Sequence, residues 1–454
     1  MEFLCIRVQS LLTVSSNLTK YVLPLLLILS VSDIDFYVGY PLLDEQWYVL
    51  ILLSSLGCAF KRIEIPLLYV GLALFFSYPY LTEYANYNKL LLYCISIPLC
   101  SLVLVSCYLT SGKSFGIILG LFLAYPLFLD INYLDLISHI VIDNTAMLGM
   151  SVAIMCGIVF LFVLVGQILV YFGIIDFLMK YIIKYVRSPG RVAILSSAVF
   201  GSVSGSAVAN VMSTGQLTIP LMIRCGYSKV RAAAYEAVAS TGGQLMPPVM
   251  GAAAFLMAEI LMVSYWDVVL VSIFPAVTFY ILLLLTTPKL SSLDIIPQYK
   301  PPVKQNIVES ISNSMYSLII LSAAIGLIIG IMDQTGLSFH ITSILNVVSG
   351  GNTFFLLTLV AVLCIILGMG MPTSSTYLLV AIVAAPSLIE AGITDIYAHL
   401  FVLYFGVLSM VTPPVALSSF TAAKIADANP IKVSLMSMLL AWPLYLFPFI
   451  FVWL

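Results

Sequence analysis

Apolar residues fall along this chain in long unbroken runs. Residues 21–31, 90–109 and 152–173 have the apolarity or the length of bilayer spans, which need about 20 helical residues each. The polar–apolar alternation that marks the strands of an outer-membrane barrel is absent. The pattern predicts an all-α polytopic membrane protein with about 11 crossings. Composition agrees. Of 454 residues 62% are hydrophobic and only 8% are charged, against about a quarter charged in an ordinary soluble domain. So few charges could not cover a soluble surface, and the apolar excess rules out disorder. Eight cysteines stand singly, without a Cys-x-x-Cys pair, so neither a disulfide framework nor a zinc site is indicated. No small-residue cleavage site follows Val31, so a cleaved signal peptide is not expected.

The order of charges predicts topology. Arg7 and Lys20 precede the first run; Asp33, Asp35, Asp44 and Glu45 follow it, and Lys61 and Arg62 come next. Lys89 with Glu83, then Lys113, then Asp130, Asp135 and Asp143 mark later connections, before the basic stretch of Lys180, Lys184, Arg187 and Arg191. Basic connections belong on the cytoplasmic side, which puts the N-terminus inside and ends the sixth crossing there near Gly173. Residues 192–222 form one long small-residue run, yet the loop beyond is again basic, with Arg224, Lys229 and Arg231. As helix it would span about 46 Å at 1.5 Å per residue, too long for one crossing and right for two half-depth limbs. A re-entrant hairpin is expected; a single tilted crossing is the alternative. Further crossings lead to Lys289, Lys300 and Lys304, and then outward to Asp333 and His340. Residues 352–388 are again overlong, and Glu390, Asp395 and His399 follow with no basic residue, which predicts a second hairpin entering from outside. Lys424 and Lys432 return inside, and the C-terminus is expected outside. Of the 18 basic residues only Lys89 falls on the outer side.

Gln244-Leu-Met-Pro-Pro-Val recurs as Met410-Val-Thr-Pro-Pro-Val, with the Pro-Pro pairs 166 residues apart. Gly173 and Gly336, each closing a span, are 163 apart. These spacings divide the chain into N-terminal helices 1–145, a first unit 149–287, a cytoplasmic linker 288–312 and a second unit 313–454. Each unit reads as span, amphipathic connector, hairpin, interrupted span, span. Three true crossings per unit is an odd number, so the copies face opposite ways. Secondary transporters commonly contain such inverted repeats, with ions and substrate bound where helices are broken.

Four stretches put breakers and polar residues at mid-membrane depth: 201–210 and 368–376 at the hairpin tips, 240–248 and 409–414 at the interruptions. Proline removes a backbone donor and crowds the preceding turn, so Pro247, Pro248, Pro372, Pro413 and Pro414 mark the breaks. Backbone groups freed in lipid cost several kcal/mol each, so the breaks must face protein, water or a ligand. Their neutral oxygens suit Na⁺. The expected cation set is Gly205, Ser206, Asn210, Ser240, Thr241, Gly242 and Gly243 in the first half, and Gly370, Thr373 and Thr412 in the second. Half-helix N-termini with hydroxyls suit a carboxylate, which nominates Ser204, Ser206, Gln244, Thr373, Ser374 and Ser375 for substrate. Small-residue packing, as in Gly201-x-x-x-Gly205, is the competing account of any one stretch; four stretches paired across the repeat favour a transport site.

Glu236 sits about 12 Å into its helix from Ser228. Two roles stand open for this buried acid: a functional group, or a hydrogen bond or ion pair to the neighbouring hairpin. His139, His340 and His399 fall in or near outer connections and are expected to be solvated, with no metal constellation. Arg187, Arg191, Arg224 and Arg231 are expected to anchor helices at the cytoplasmic interface.

Gly201 to Asn210, the run Glu236-Ala-Val-Ala-Ser-Thr-Gly-Gly-Gln-Leu-Met-Pro-Pro-Val-Met-Gly-Ala-Ala-Ala-Phe-Leu-Met-Ala-Glu259, Leu367-Gly-Met-Gly-Met-Pro-Thr, and Ala398-His-Leu-Phe-Val-Leu-Tyr-Phe with Thr412-Pro-Pro-Val-Ala closely resemble the large permease of tripartite ATP-independent periplasmic (TRAP) transporters, in the manner of the fused permeases. The resemblance covers residues 149–454. It implies Na⁺-coupled uptake of an organic anion handed over by an extracytoplasmic solute receptor, in a bacterial or archaeal cytoplasmic membrane. It also implies elevator-like movement of hairpins and interrupted helices against a static scaffold. Three N-terminal spans remain beyond those the large subunit would use, fewer than a four-helix small subunit, so a separate small permease subunit stays open as a partner. Neither a cofactor beyond Na⁺ nor a nucleic acid is expected. The competing classes are an ion or solute channel and an intramembrane enzyme. Gly201-Ser-Val-Ser-Gly205 has Val203 where a hydrolase elbow needs serine, and no base stands beside it.

The predicted hairpins set a direct test. Single cysteines at Arg191 and Tyr227 should label together from the cytoplasm, and those at Gly351 and Thr394 together from outside. Either pair splitting across the membrane would overturn the re-entrant reading.

Overall fold

The computed structural model describes residues 18–32, 43–60, 64–84, 89–110, 113–129, 131–142, 146–186, 188–248, 250–288 and 306–453. Arg7, Asp33, Asp35, Lys61, Arg62, Asp130, Asp143, Arg187, Lys289, Lys300 and Lys304 lie outside the described residues, as does most of the 288–312 linker.

The described residues are helical throughout, with no strand among them. In chain order the helices are α1 (Leu18–Val31), α2 (Asp44–Ala59), α3 (Glu64–Tyr84), α4 (Lys89–Thr110), α5 (Lys113–Ala124), α6 (Tyr133–Ile142), α7 (Met150–Ile154), α8 (Phe160–Tyr171), α9 (Ile174–Tyr185), α10 (Pro189–Ser204) and α11 (Ala207–Arg224). There follow α12 (Lys229–Gly242), α13 (Ala252–Ile260), α14 (Tyr265–Leu285), α15 (Ile307–Thr335), α16 (Leu337–Ser349), α17 (Thr353–Gly368), α18 (Thr373–Glu390), α19 (Asp395–Leu408), α20 (Leu417–Ala426), α21 (Pro430–Leu440) and α22 (Trp442–Phe451). Among the described residues five helices are long and apolar enough to cross a membrane, or six if the bent pair α21–α22 is one span. Shorter apolar helices, including α1, α16, α17 and α19, accompany them.

The chain forms two compact units that cut across the sequence segments. One contains residues up to Gln167 together with Gln305–Leu337; the other contains Ile168–Lys304 and Ser338–Leu454. The long helix α15 therefore belongs with the N-terminal helices.

In that first unit α15 is the central post, packed by α1, α2, α4, α5, α6 and α7. Its Gly326-x-x-x-Gly330 lets backbone approach backbone, the small-residue device of membrane helix contacts. A Cβ at Gly326 would lie 2.3 Å from the Ala146 carbonyl oxygen, and one at Gly330 2.8 Å from Ala146 Cβ. Lys20 of α1 donates to Glu309 of α15 at 2.6 Å. Lys89 and Asp135 pair at 3.0 Å, with the Tyr93 hydroxyl donating to the same carboxylate. The Tyr93 hydrogen bond and the Lys89 ammonium hold the Asp135 carboxyl below its usual range.

The second unit packs α12 centrally against α10, α11, α20 and α21, and α18 against α17 and α19. Lys229 at the start of α12 donates to Asp427 at the end of α20, at 2.8 Å, which ties the two repeats' interrupted helices together at one end.

Because Gly326 meets backbone that cannot move aside as a side chain could, Gly326→Val should destabilise the first unit by roughly 1–3 kcal/mol, the usual cost of overpacking. A lower melting temperature of the purified chain in detergent is the expected outcome, and unchanged melting would remove the post role from α15.

Candidate functional site

Both sequence-predicted interruptions are real gaps between helices. After α12 the chain makes a short 3₁₀ turn at Gly243–Leu245, passes the Pro247–Pro248 pair, and restarts as α13 at Ala252. After α19 it passes Pro413–Pro414 and restarts as α20 at Leu417. Both Pro-Pro bonds are cis. The Pro248 carbonyl beyond the break accepts from the Tyr265 hydroxyl at 2.8 Å, and the Ala239 carbonyl, already bonded to Gly243 N–H, also accepts from Tyr280 at 2.7 Å. Pro372 lies at the N-cap of α18.

Each predicted tip is a reversal at a left-handed glycine. Gly205, φ +63°, separates α10 from α11, and Gly370, φ +73°, separates α17 from α18. Ser206 caps α11 by accepting from Ala209 N–H at 3.3 Å, which satisfies one of the orphan amides at a helix start. The repeat seen in the Pro-Pro spacing extends well beyond it. Pro220 inside α11 matches Pro386 inside α18, and left-handed Gly226 matches left-handed Gly392. The turn bonds Tyr227 N–H to Met222 O (3.0 Å) and Ile393 N–H to Leu388 O (3.2 Å) match as well. All share the offset of 166 residues.

Tip and break touch in both halves. In the first, a Cβ on Gly201 would stand 2.7 Å from both Asn210 Nδ2 and Gly243 Cα, and one on Gly205 only 2.5 Å from Gly251 Cα. In the second, a Cβ on Gly368 would stand 2.5 Å from Ser409 Oγ and 2.7 Å from Thr376 Cγ2. Ser409 Oγ meets the Gly368 carbonyl at 3.0 Å. Asn210 and Thr376, and Gly243 and Ser409, are again 166 apart. Two pseudo-equivalent triads result: Gly201–Asn210–Gly243 and Gly368–Thr376–Ser409.

The predicted site residues distribute around these triads. Gln244, in the first break, accepts from Thr373 Oγ1 of the second tip at 2.8 Å, so the two halves meet at two residues nominated for substrate. Ser204 Oγ and Ser375 Oγ are buried without a hydrogen-bond partner, and Ser374 is buried beside Ser375. Thr241 donates to Ala237 O at 2.7 Å, and Gly242 packs against the Phe279 ring. Thr412 donates to Leu408 O at 2.7 Å and meets Tyr445 Oη at 2.6 Å.

Glu236 is fully buried and resolves into the neighbouring-hairpin alternative. Its carboxylate accepts from Ser197 (2.7 Å) on α10, Thr214 and Thr218 (2.5 Å each) on α11, and Ser240 (3.3 Å) on its own helix. Gly215 makes room for it, since a Cβ there would sit 3.1 Å from Glu236 Cγ. Sequence reasoning missed Ser197, Thr214 and Thr218, although Asn210, Thr214 and Thr218 recur at the four-residue spacing of one helix face. It also missed Thr376 and Ser409 as contact residues. His399 is a correction. It is buried in α19 with Nδ1 2.8 Å from Tyr377 Oη, not solvated in a connection, because α19 already begins at Asp395 and carries it inward by one turn.

The family model of the tripartite ATP-independent periplasmic transporter, DctM component, matches residues 94–310 and 302–454. The chain belongs to this family. The tip and break stretches described above all fall within the matched residues. A protein of Haemophilus influenzae (strain ATCC 51907 / DSM 11121 / KW20 / Rd) named "Putative TRAP transporter large permease protein" is similar at 31% identity over 170 residues, 36% of this chain and 39% of that protein. The match thus spans about two-fifths of that DctM relative's length.

The close approach at the first triad predicts a steric phenotype. Gly201→Val would drive side chain into the Gly243 backbone and should lower the melting temperature in detergent, at a cost of roughly 1–3 kcal/mol. Val at Gly120, which has no neighbour within 4 Å of its Cβ position, should be close to neutral; equal effects at both would deny the tip–break contact.

Proposed function

We propose that this chain is the permease of a Na⁺-coupled secondary transporter that imports a small organic anion, a carboxylate delivered by an extracytoplasmic solute receptor. The observation that carries the reading is the pair of tip–break triads, in which Asn210 and Thr376, and Gly243 and Ser409, are 166 residues apart and Gly201 and Gly368 are 167 apart. Discontinuous helices repeated in two halves are the architecture in which transporters hold ions and substrate. In this reading the halves are inverted, the tips are re-entrant hairpins, the N-terminus is cytoplasmic, the C-terminus is outside, and the membrane is the cytoplasmic one.

The donor chemistry fits a hard monovalent cation. Oxygens at both sites are neutral, from hydroxyls, an amide and freed carbonyls, so no fixed charge is stranded among them. Ser204 Oγ and Ser375 Oγ, buried without partners, are the sort of oxygens a ligand satisfies. Na⁺ would be held by oxygens of Gly205, Ser206, Asn210, Ser240, Thr241, Gly242 and Gly243 in the first half, and of Gly370, Thr373 and Thr412 in the second, where Ser409 adds a hydroxyl at the contact. Hydroxyls such as Thr241, which donate to a carbonyl, keep lone pairs free for a cation. Gln244 and Thr373, already bonded to each other, would meet the substrate with Ser375 and the N-terminus of α18, whose orphan amides favour a carboxylate.

Transport by an elevator would carry the second unit's hairpins and interrupted helices past a fixed scaffold. A receptor that encloses the anion suits an outer side expected to be acidic, whose basic residue Lys89 is already paired with Asp135. A free carboxylate would meet repulsion there, screened beyond about 8 Å at physiological salt.

Reconstituted protein should therefore show negligible uptake until its receptor is added, and uptake should require Na⁺. Asn210→Ala should raise the Na⁺ concentration for half-maximal uptake. Flux without Na⁺ dependence would favour a channel, and robust Na⁺-driven uptake of free acid would refute the receptor.

A further inference from the structure

The two triads share a contact geometry but differ in residue type, Asn210 against Thr376 and Gly243 against Ser409, and they differ also in their electrostatics. The position equivalent to Glu236, at the same offset of 166, is Val402, which is fully buried. Only the first half places a carboxylate behind its triad. That carboxylate is joined to the triad through Ser197, with Thr214 beside it. Thr214 Oγ1 lies 2.5 Å from Glu236 Oε1 and 3.1 Å from Asn210 Oδ1. Ser197 donates its hydroxyl to Glu236 at 2.7 Å while its carbonyl accepts from Asn210 Nδ2 at 2.7 Å. Four hydroxyl donors converge on the acid, which is the solvation an anion needs when buried.

The charged groups on neighbouring elements do not cancel this difference. Lys424, on the packed helix α20, is exposed, and Lys229 is bonded to Asp427. Near the second triad, Glu390 and Asp395 stand at the far ends of α18 and α19, about 20 Å along the helix from Thr376 and Ser409 at 1.5 Å per residue. His399 there is hydrogen-bonded to the Tyr377 hydroxyl.

We propose that the two cation sites are unequal: Glu236 is a positioning and counter-charge residue that makes the first site the tight one, and the second, backed by Val402, is the weak one. This rests on the Na⁺-coupled reading above. Glu236 touches no ion. It acts through Ser197, whose carbonyl holds the Asn210 side chain, and through its field across low-dielectric protein. The first site would stay filled over a range of Na⁺ concentration in which the second empties and refills, so the second would be the one whose occupancy the cycle reads.

The test is Na⁺ binding to the purified full-length chain in detergent, followed by ²²Na⁺ retention and by Na⁺-dependent shifts in melting temperature, with choline as the control ion and no receptor present. The wild-type chain should bind in two phases. Glu236→Gln, which removes the charge but keeps the size, should weaken the tight phase by about tenfold or more and leave the weak phase in place. Glu236→Asp should restore most of the tight phase. Thr376→Val should shift the weak phase alone. Should Glu236→Gln fail to fold, Thr214→Val, which keeps the acid and removes one of the hydroxyls that solvate its charge, should weaken the tight phase instead. Two phases in the wild type, left intact by Glu236→Gln or Thr214→Val, would overturn the inequality and reduce Glu236 to packing. A wild-type chain blind to Na⁺ would overturn the Na⁺-coupled reading itself, and this inference with it.

Discussion

An amide or carbonyl left unpaired in hydrocarbon costs several kcal/mol, and the structure is organised by where that cost is met. A chain of apolar helices has no difficulty until a helix stops part-way. Here α12 and α19 stop beside Pro-Pro pairs, and α10 and α17 stop at left-handed glycines. At two of these stops a hydroxyl from another element meets a carbonyl of the break: Tyr265 at Pro248 and Ser409 at Gly368. These hydroxyl donors sit on other elements, so the breaks can exist only inside a packed unit.

The same constraint explains the glycines. A tip can shelter a break only if backbone reaches backbone, and any Cβ at Gly201 or Gly205 would prevent it by standing 2.5–2.7 Å from the opposite chain. The second half achieves the approach with a different pair, Gly368 against a serine hydroxyl. Geometry is shared between the halves while the chemistry at the contact is not. Gly326 and Gly330 use the same device in α15, where no break is involved, so close glycine contact by itself marks packing, and only its coincidence with a helix break marks a site.

What the sequence disclosed were the features with a local cause. Proline pairs, small-residue tips and overlong runs announce broken helices because the backbone rules are local. The offset of 166 was legible in the Pro-Pro pairs for the same reason, and the structure carries it on to Pro220, Gly226 and the 222–227 turn. Features set by tertiary neighbours were hidden. Nothing local says that Thr412 faces Tyr445, that α15 packs with helices some 200 residues earlier, or that His399 meets Tyr377. The placement of His399 in a solvated connection failed because charge patterns fix loops only to within a turn. Glu236 was visible as a buried acid, but its role was not, since three of its four partners come from another hairpin.

That cage also bears on how a duplicated architecture becomes a directional one. On the proposed Na⁺-coupled reading, two identical sites would fill and empty together, and neither could hold the fold steady while the other responded. Burying an anion is costly unless hydrogen bonds solvate it, so a lone acid cannot be added to one half cheaply; it needs Ser197, Thr214, Thr218 and Ser240 placed together, with Gly215 to make room. The second half has Val402 at the position of Glu236, and Leu363, Val380, Ala384 and Gly406 at those of Ser197, Thr214, Thr218 and Ser240, so there the acid and its four donors are absent together. The coordinated difference is what one expects if the asymmetry is a working feature. A chance substitution in one copy would have left either an orphaned acid or an empty ring of hydroxyls.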